Sequence, residues 1–277
     1  MISSQSDENN PIIPGLLRIF TAIEVGVLFI AGGGLFFLPT QVQTLWPWEV
    51  APFNMRLLGA IYLASLVATF FVVAVNRWSP SRVVVPMILV FTFVILIISL
   101  IYIDRFDGPI VSIGLWFLLY VTLPVNAAYH LWVYREQFLK PLPRLAPPVR
   151  IGLLLQVIIL GLYGLGLLVA PNTFSAFWPW SIDAFHGQMY SVAYISLAIG
   201  AYMLWRGVGP FDLPTLSITQ TVLGSFTIIG LIVVDLSANR VDWSAFGTWL
   251  WIGLFASLTL FGLFLLTPFV HTVQKEI

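Results

Sequence analysis

The sequence predicts an all-α, polytopic membrane protein whose eight transmembrane helices form two tandem, parallel four-helix bundles. Three observations lead there. The 277 residues are 59% hydrophobic and 9% charged, whereas a soluble domain carries roughly 25% charged residues. The apolar residues gather into runs of about 20, the length that crosses a hydrocarbon core. The rare word Trp-Pro-Trp occurs twice, at 46–48 and 178–180.

Runs of spanning length lie near residues 15–38, 56–76, 82–103, 110–134, 151–170, 188–205, 213–234 and 244–270. They are continuously apolar rather than alternating, which argues against transmembrane strands. The runs 110–134 and 244–270 are long enough to tilt. Eight spans put both termini on one side. Nine of the 12 Lys and Arg residues fall on that side, and only Arg56, Arg105 and Arg240 fall on the other. The positive-inside rule makes the basic side cytoplasmic. The expected location is therefore a membrane, the bacterial cytoplasmic membrane, with both termini inside. Residues 1–14 read as a polar N-terminal tail without the basic start of a secretory signal, and residues 271–277 as a C-terminal tail.

The two Trp-Pro-Trp words keep one register. At a shift of 132 residues, Arg18–Tyr62 and Arg150–Tyr194 match at 13 of 45 positions without a gap. Chance in so apolar a composition gives roughly four to five. Gly32/Gly164, Gly34/Gly166, Phe53/Phe185 and Tyr62/Tyr194 are among the matches. The chain thus divides into a four-helix repeat at 15–134, a basic, proline-rich cytoplasmic linker at 135–150, and a second repeat at 151–270. An even number of spans in each repeat gives both the same orientation, related by an axis along the membrane normal.

The Arg18 start, the glycines that close the first span and the stretch RLLGAIYLAS (56–65) resemble the small four-helix membrane proteins of the DoxX-like kind, here doubled. The second half departs from that pattern, with Gln188 at the position of Arg56. The resemblance implies a four-helix bundle in each half and brings no active site with it.

Small residues such as Gly32, Gly164, Ala60, Ala64 and Gly200 mark helix contact faces, because helices in lipid associate through close packing. Glu24 is the one acid well inside a span, roughly 13 Å in at 1.5 Å per residue, and such a group is a functional candidate by default. Asn126 and His130 stand one helical turn apart at the same depth, so Glu24, Asn126 and His130 are an expected polar cluster, either a structural clamp or a ligand site. Burial favours the uncharged form of Glu24. In the second half Gln156 replaces Glu24, and Gln220 lies level with it. On the outer side, Trp46, Trp48, Trp178 and Trp180 are expected to form interfacial elbows with both rings turned outward, as tryptophans do in membrane belts. Arg56, Asp104 and Asp235 accompany them, with Arg56 facing Asp104 or Glu49.

Other chemistry is poorly provided for. The chain has no cysteine and zero net charge, so neither a thiolate site nor a nucleic-acid partner is expected. No zinc spacing, phosphate loop or Ser-His-Asp order occurs. No catalytic or metal-binding residue is assigned. A haem or chlorophyll is not expected; His130 is the one histidine inside a span and hence the one axial-ligand candidate. The sequence favours a non-catalytic accessory or scaffold subunit, or a protein that binds a lipophilic molecule, with membrane lipids or other membrane subunits as partners. A small-solute or proton-coupled transporter is the first alternative, and a membrane enzyme acting on a lipid or quinone the second.

Overall fold

The computed structural model describes residues 10–267 and 270. The C-terminal tail, with His271 and Lys275, lies outside them. Eight helices of 20 residues or more follow in order: α1 (Gly15–Phe37), α2 (Pro52–Val75), α3 (Trp78–Ile101), α4 (Ile110–Val133), α5 (Pro147–Val169), α6 (Ala184–Arg206), α7 (Asp212–Ala238) and α8 (Phe246–Leu265). Seven of them are long and apolar enough to cross a membrane, and α6 is the exception. Its length suffices, but 15 of its 23 residues are buried, against 7 of 23 in α1. A helix enclosed by other helices meets little lipid and can carry His186, Ser191 and Ser196 on its faces. The chain is an all-α, polytopic membrane protein.

Several helices begin about one turn before the apolar run does. Pro52 and Pro147 open α2 and α5, positions where proline's missing N–H costs nothing and its fixed φ suits the helix. The linker is correspondingly shorter than expected, a 3-10 turn at Arg135–Leu139 and a short extended stretch before Pro147. Asn76 and Asn239 end α2 and α7 in the left-handed conformation (φ 53° and 47°), which asparagine tolerates better than most residues. Pro86 and Pro124 sit inside α3 and α4 without ending either helix. Pro124 therefore marks no broken helix.

The helices pair both within and across the two halves. α1 packs along α2 and α5 along α6; α3 packs on α4 and α7 on α8. The central contacts cross over: α2 lies against α7, and α3 against α6, more extensively than α2 against α3 or α6 against α7. One hydrophobic core accordingly contains residues of both halves, in place of two separate bundle cores.

Contacts recur at the shift of 132 residues. The buried face of α1 (Leu17, Glu24, Leu28, Gly32, Leu35) reappears in α5 as Val149, Gln156, Leu160, Gly164 and Leu167. Arg56 donates to the Phe36 carbonyl at the end of α1, and Gln188 donates to the Leu168 carbonyl at 2.8 Å. A Cβ on Gly32 would meet the Leu63 nitrogen at 3.1 Å, and one on Gly164 the Ile195 nitrogen at 3.1 Å. Only a hydrogen lets these backbones approach so closely.

The elbows correct the expectation of outward-facing rings. Short helical turns at Pro39–Gln43 and Pro171–Phe174 lead into them, and the tryptophans then turn inward. Trp46, Trp48 and Trp178 are buried, and Trp180 is half-buried. Each elbow grips the other half. Trp48 packs on Phe185 with ring centroids 5.4 Å apart, and Trp180 stacks on Phe53 at 5.0 Å. The Trp48 indole N–H donates to His186 Nε2 at 3.2 Å, and that of Trp180 to Asn54 Oδ1 at 2.9 Å. His186 is Asn54 shifted by 132. The apolar ring area that would have met lipid headgroups is used to hold the halves together.

Candidate functional site

A cavity of about 540 Å³ lies among α1–α4, with α6 and α7 at its back. This volume falls in the range of small-molecule sites. Its wall is apolar except for Glu24, Tyr62, Tyr120, the indoles of Trp46 and Trp116, and a few Ser and Thr residues; the Trp46 N–H is buried without a partner. The lining side chains Ile23 and Ile30 of α1 and Leu115 and Leu118 of α4 are also exposed on the outside of the molecule. The mouth therefore lies between α1 and α4, rimmed by side chains that face hydrocarbon.

Glu24 is 8% exposed, and no hydrogen bond or ion pair reaches its carboxyl from the described residues. The remaining exposure is into the cavity that it lines. Tyr62 and Tyr120 hydrogen-bond to each other, O to O at 3.0 Å. One hydroxyl donates to the other, which leaves one O–H with no acceptor among the described residues. Most lining Ser and Thr hydroxyls are already committed: Ser65 donates to the Ile61 carbonyl, Thr92 to Ile88 and Thr219 to Thr215. Aromatic rings close one end, with Trp46 and Trp116 6.0 Å apart and Trp116 and Tyr120 4.3 Å apart.

The second half has closed the corresponding space. Gln156, at the Glu24 position, donates to Gln220 Oε1 at 2.6 Å, whereas the residue 132 before Gln220 is Ile88, which lines the cavity. Gly224 admits the α8 backbone: a Cβ there would run into the Phe255 carbonyl and stand 3.0 Å from the Thr259 nitrogen. On α3 the matching position is Thr92, a buried side chain on the cavity wall. α3 thus offers α4 no notch like the one that seats α8 on α7.

The expected cluster of Glu24, Asn126 and His130 does not form. His130 Nδ1 donates to the Asn126 carbonyl at 2.8 Å, on its own helix. Its Nε2 is buried without a partner, and neither residue lines the cavity. Asn126 and His130 continue the stripe of Leu119 and Leu123 along α4, but the cavity wall takes its last α4 residue at Leu123, one turn before Asn126. Gln156 and Gln220, by contrast, are brought together. Arg56 faces neither Asp104 nor Glu49. It donates to the end of α1, and its guanidinium lies 5.7 Å from the centroid of the Phe36 ring. Asp104 is exposed in a 3-10 turn. Asp235 holds the turn after α7, accepting from the Arg240 and Val241 backbone at 2.9 and 2.8 Å and from Trp243 Nε1 at 2.8 Å. Among the described residues no three His, Asp or Glu side chains gather as a metal site.

Two clusters escaped the sequence reading. Where α3 and α7 begin, Asp212 is fully buried and binds Arg82, 130 residues away, as an ion pair. At the start of α6, Asp183 caps the helix by accepting from the His186 backbone N–H at 2.9 Å, and from His186 Nδ1 at 2.7 Å. With Nδ1 donating and Nε2 accepting from Trp48, this histidine is held as the neutral Nδ1–H tautomer. The His186 side-chain hydrogen bond is the main influence that lowers the Asp183 pKa from 3.8 to about 2. A carboxylate whose pKa is depressed on folding stabilises the protein above its unfolded value and loses that effect as pH falls through the folded one. Asp183→Asn is therefore expected to destabilise at pH 7, and its deficit to shrink between about pH 4 and 2. Thermal unfolding of both proteins in detergent across that range checks it.

No protein-family model, curated protein or solved structure matches the chain. The functional reading therefore rests on this geometry.

Proposed function

We propose that the protein is a non-catalytic membrane protein that takes a lipophilic molecule into the cavity among α1–α4. One observation carries the reading: an apolar cavity with a lateral mouth holds a buried carboxyl, Glu24, that has no protein partner. Burying a polar group without a hydrogen bond costs roughly 1–3 kcal/mol, and a ligand that enters from the bilayer offsets that cost. The mouth between α1 and α4 supports entry from lipid rather than from water.

Around that site we place eight spans, with α6 crossing as the enclosed helix, in the bacterial cytoplasmic membrane with both termini inside. We read the chain as two copies of a four-helix unit of the DoxX-like kind that have interlocked. The contacts recurring at 132 residues and the crossed pairs α2–α7 and α3–α6 support this reading. The first copy keeps the cavity, and the second has filled it.

Native mass spectrometry of protein released from detergent tests the proposal. Wild type is expected to retain a lipophilic small molecule at about one per chain. Ser65→Phe, which projects a ring into the cavity, is expected to lose it while unfolding at a similar temperature. Equal retention by both proteins contradicts the proposal.

A further inference from the structure

Resting on that reading, we propose that the occupant is a neutral lipophile whose buried end is a hydroxyl group, with an apolar isoprenoid or acyl body filling the rest of the cavity. The polar end is the part that the protein selects. It is defined by three features of the wall.

First, the cavity wall includes no Lys, Arg or His. A phosphate or carboxylate head would have no cation to pair with, and it would sit in the same space as the Glu24 carboxyl. A buried unpaired charge is among the costliest arrangements in a low-dielectric site. Charged lipid headgroups are thereby selected against.

Second, the unsatisfied groups of the site are complementary in kind. The Tyr62–Tyr120 pair has one O–H left to donate. Glu24, on the wall of the same cavity, offers acceptor oxygens. A single hydroxyl accepts from the tyrosine and donates to the carboxyl, satisfying both with one oxygen. An ether or hydrocarbon end leaves Glu24 bare. An amine offers donors to Glu24 but, when charged, nothing for the tyrosine hydrogen, and it brings an ion to desolvate.

Third, the neighbouring hydroxyls do not compete. Ser65, Thr92 and Thr219 donate to carbonyls of their own helices. Selectivity therefore falls on Glu24, the tyrosine pair and the Trp46 indole N–H, which is likewise buried without a partner, with the mouth between α1 and α4 left for the apolar body.

The test uses the full-length protein in detergent and four probes of one chain: farnesol, farnesyl phosphate, farnesoic acid and farnesylamine. Binding is followed by intrinsic tryptophan fluorescence, since Trp46 and Trp116 line the cavity. Farnesol is expected to bind at least about tenfold more tightly than any of the other three, a difference of about 1.4 kcal/mol. Glu24→Leu is expected to weaken farnesol about tenfold or more. Glu24→Gln, whose amide both accepts and donates, is expected to stay within about threefold of wild type. Tyr120→Phe tests the other partner without placing bulk in the site and is expected to weaken farnesol several-fold. A charged probe that binds as tightly as farnesol overturns the assignment of a neutral hydroxyl but leaves the cavity as a ligand site. Unchanged farnesol affinity in both Glu24→Leu and Tyr120→Phe overturns the assigned contacts. Failure of all four probes to bind wild type overturns both the assignment and the cavity reading on which it rests.

Discussion

Arg82→Met is expected to destabilise the protein by about 3–5 kcal/mol, the cost of breaking a buried ion pair by removing one partner. Asp212 is fully buried at the start of α7. It accepts from Arg82 Nε at 3.1 Å and also from Arg82 Nη2, from Ser79 Oγ at 2.9 Å and from the Gly209 N–H at 2.8 Å. Arg82 donates further to the Gly207 carbonyl at 2.6 Å. The pair pins the starts of α3 and α7, which belong to different halves. Removing the guanidinium strands a carboxylate with no solvent to stabilise it. Adding Asp212→Asn removes that charge and keeps an acceptor for Ser79 and Gly209. Arg82→Met with Asp212→Asn is therefore expected to recover about half of the loss or more. Equilibrium unfolding in mixed micelles measures it. A double variant no more stable than the single one would show that a stranded charge is not the cause.

Trp48→Ala is expected to cost about 3–5 kcal/mol, as for other large aromatic residues cut to alanine in a core. The Trp48 ring lies 4.8 Å from Trp116, 5.2 Å from Phe106 and 5.4 Å from Phe185, centroid to centroid. The half-buried Trp180 has less to lose, so Trp180→Ala is expected to cost less than Trp48→Ala. Trp48→Phe keeps most of the ring area and removes the N–H. It is expected to cost about 0.5–1.5 kcal/mol through the His186 hydrogen bond, and that cost should vanish in a His186→Ala background. The same unfolding measurement applies. Equal losses for Trp48→Ala and an exposed tryptophan such as Trp249 would mean that the elbow does not join the halves.

These residues also show what can be read from sequence in such a protein. Apolar runs fix where helices cross, because lipid imposes one length on all of them. They are less informative for α6, which other helices enclose and whose composition answers to neighbours rather than to lipid. Depth along a span is legible at a constant rise per residue, and it set Gln220 level with Gln156. The same count placed Asn126 and His130 level with Glu24, but the cavity wall takes its last α4 residue at Leu123, one turn earlier on the same stripe. The elbows were misjudged for a related reason. Tryptophan suits both a wet interface and a core, and only its partner decides. The partners Phe53 and Phe185 were already visible as matched positions, but no sequence pattern said that each would receive the other half's ring. Tyr62, matched with Tyr194, was likewise visible without its role, which depends on Tyr120 arriving from α4. Asp212 carried no expectation, because it sits at the border of its apolar run, where exposed and buried carboxylates look alike.

The central claim is that the first half holds a cavity for a lipophilic molecule that the second half has lost. An experimental density map of the protein in a lipid nanodisc tests it most directly. The account predicts elongated density that enters between α1 and α4 and ends within hydrogen-bond distance of Glu24 or the Tyr62–Tyr120 hydroxyls, with none between α5 and α8. A first half in which α4 closes on α1, and Glu24 finds its partner within the protein, would contradict it.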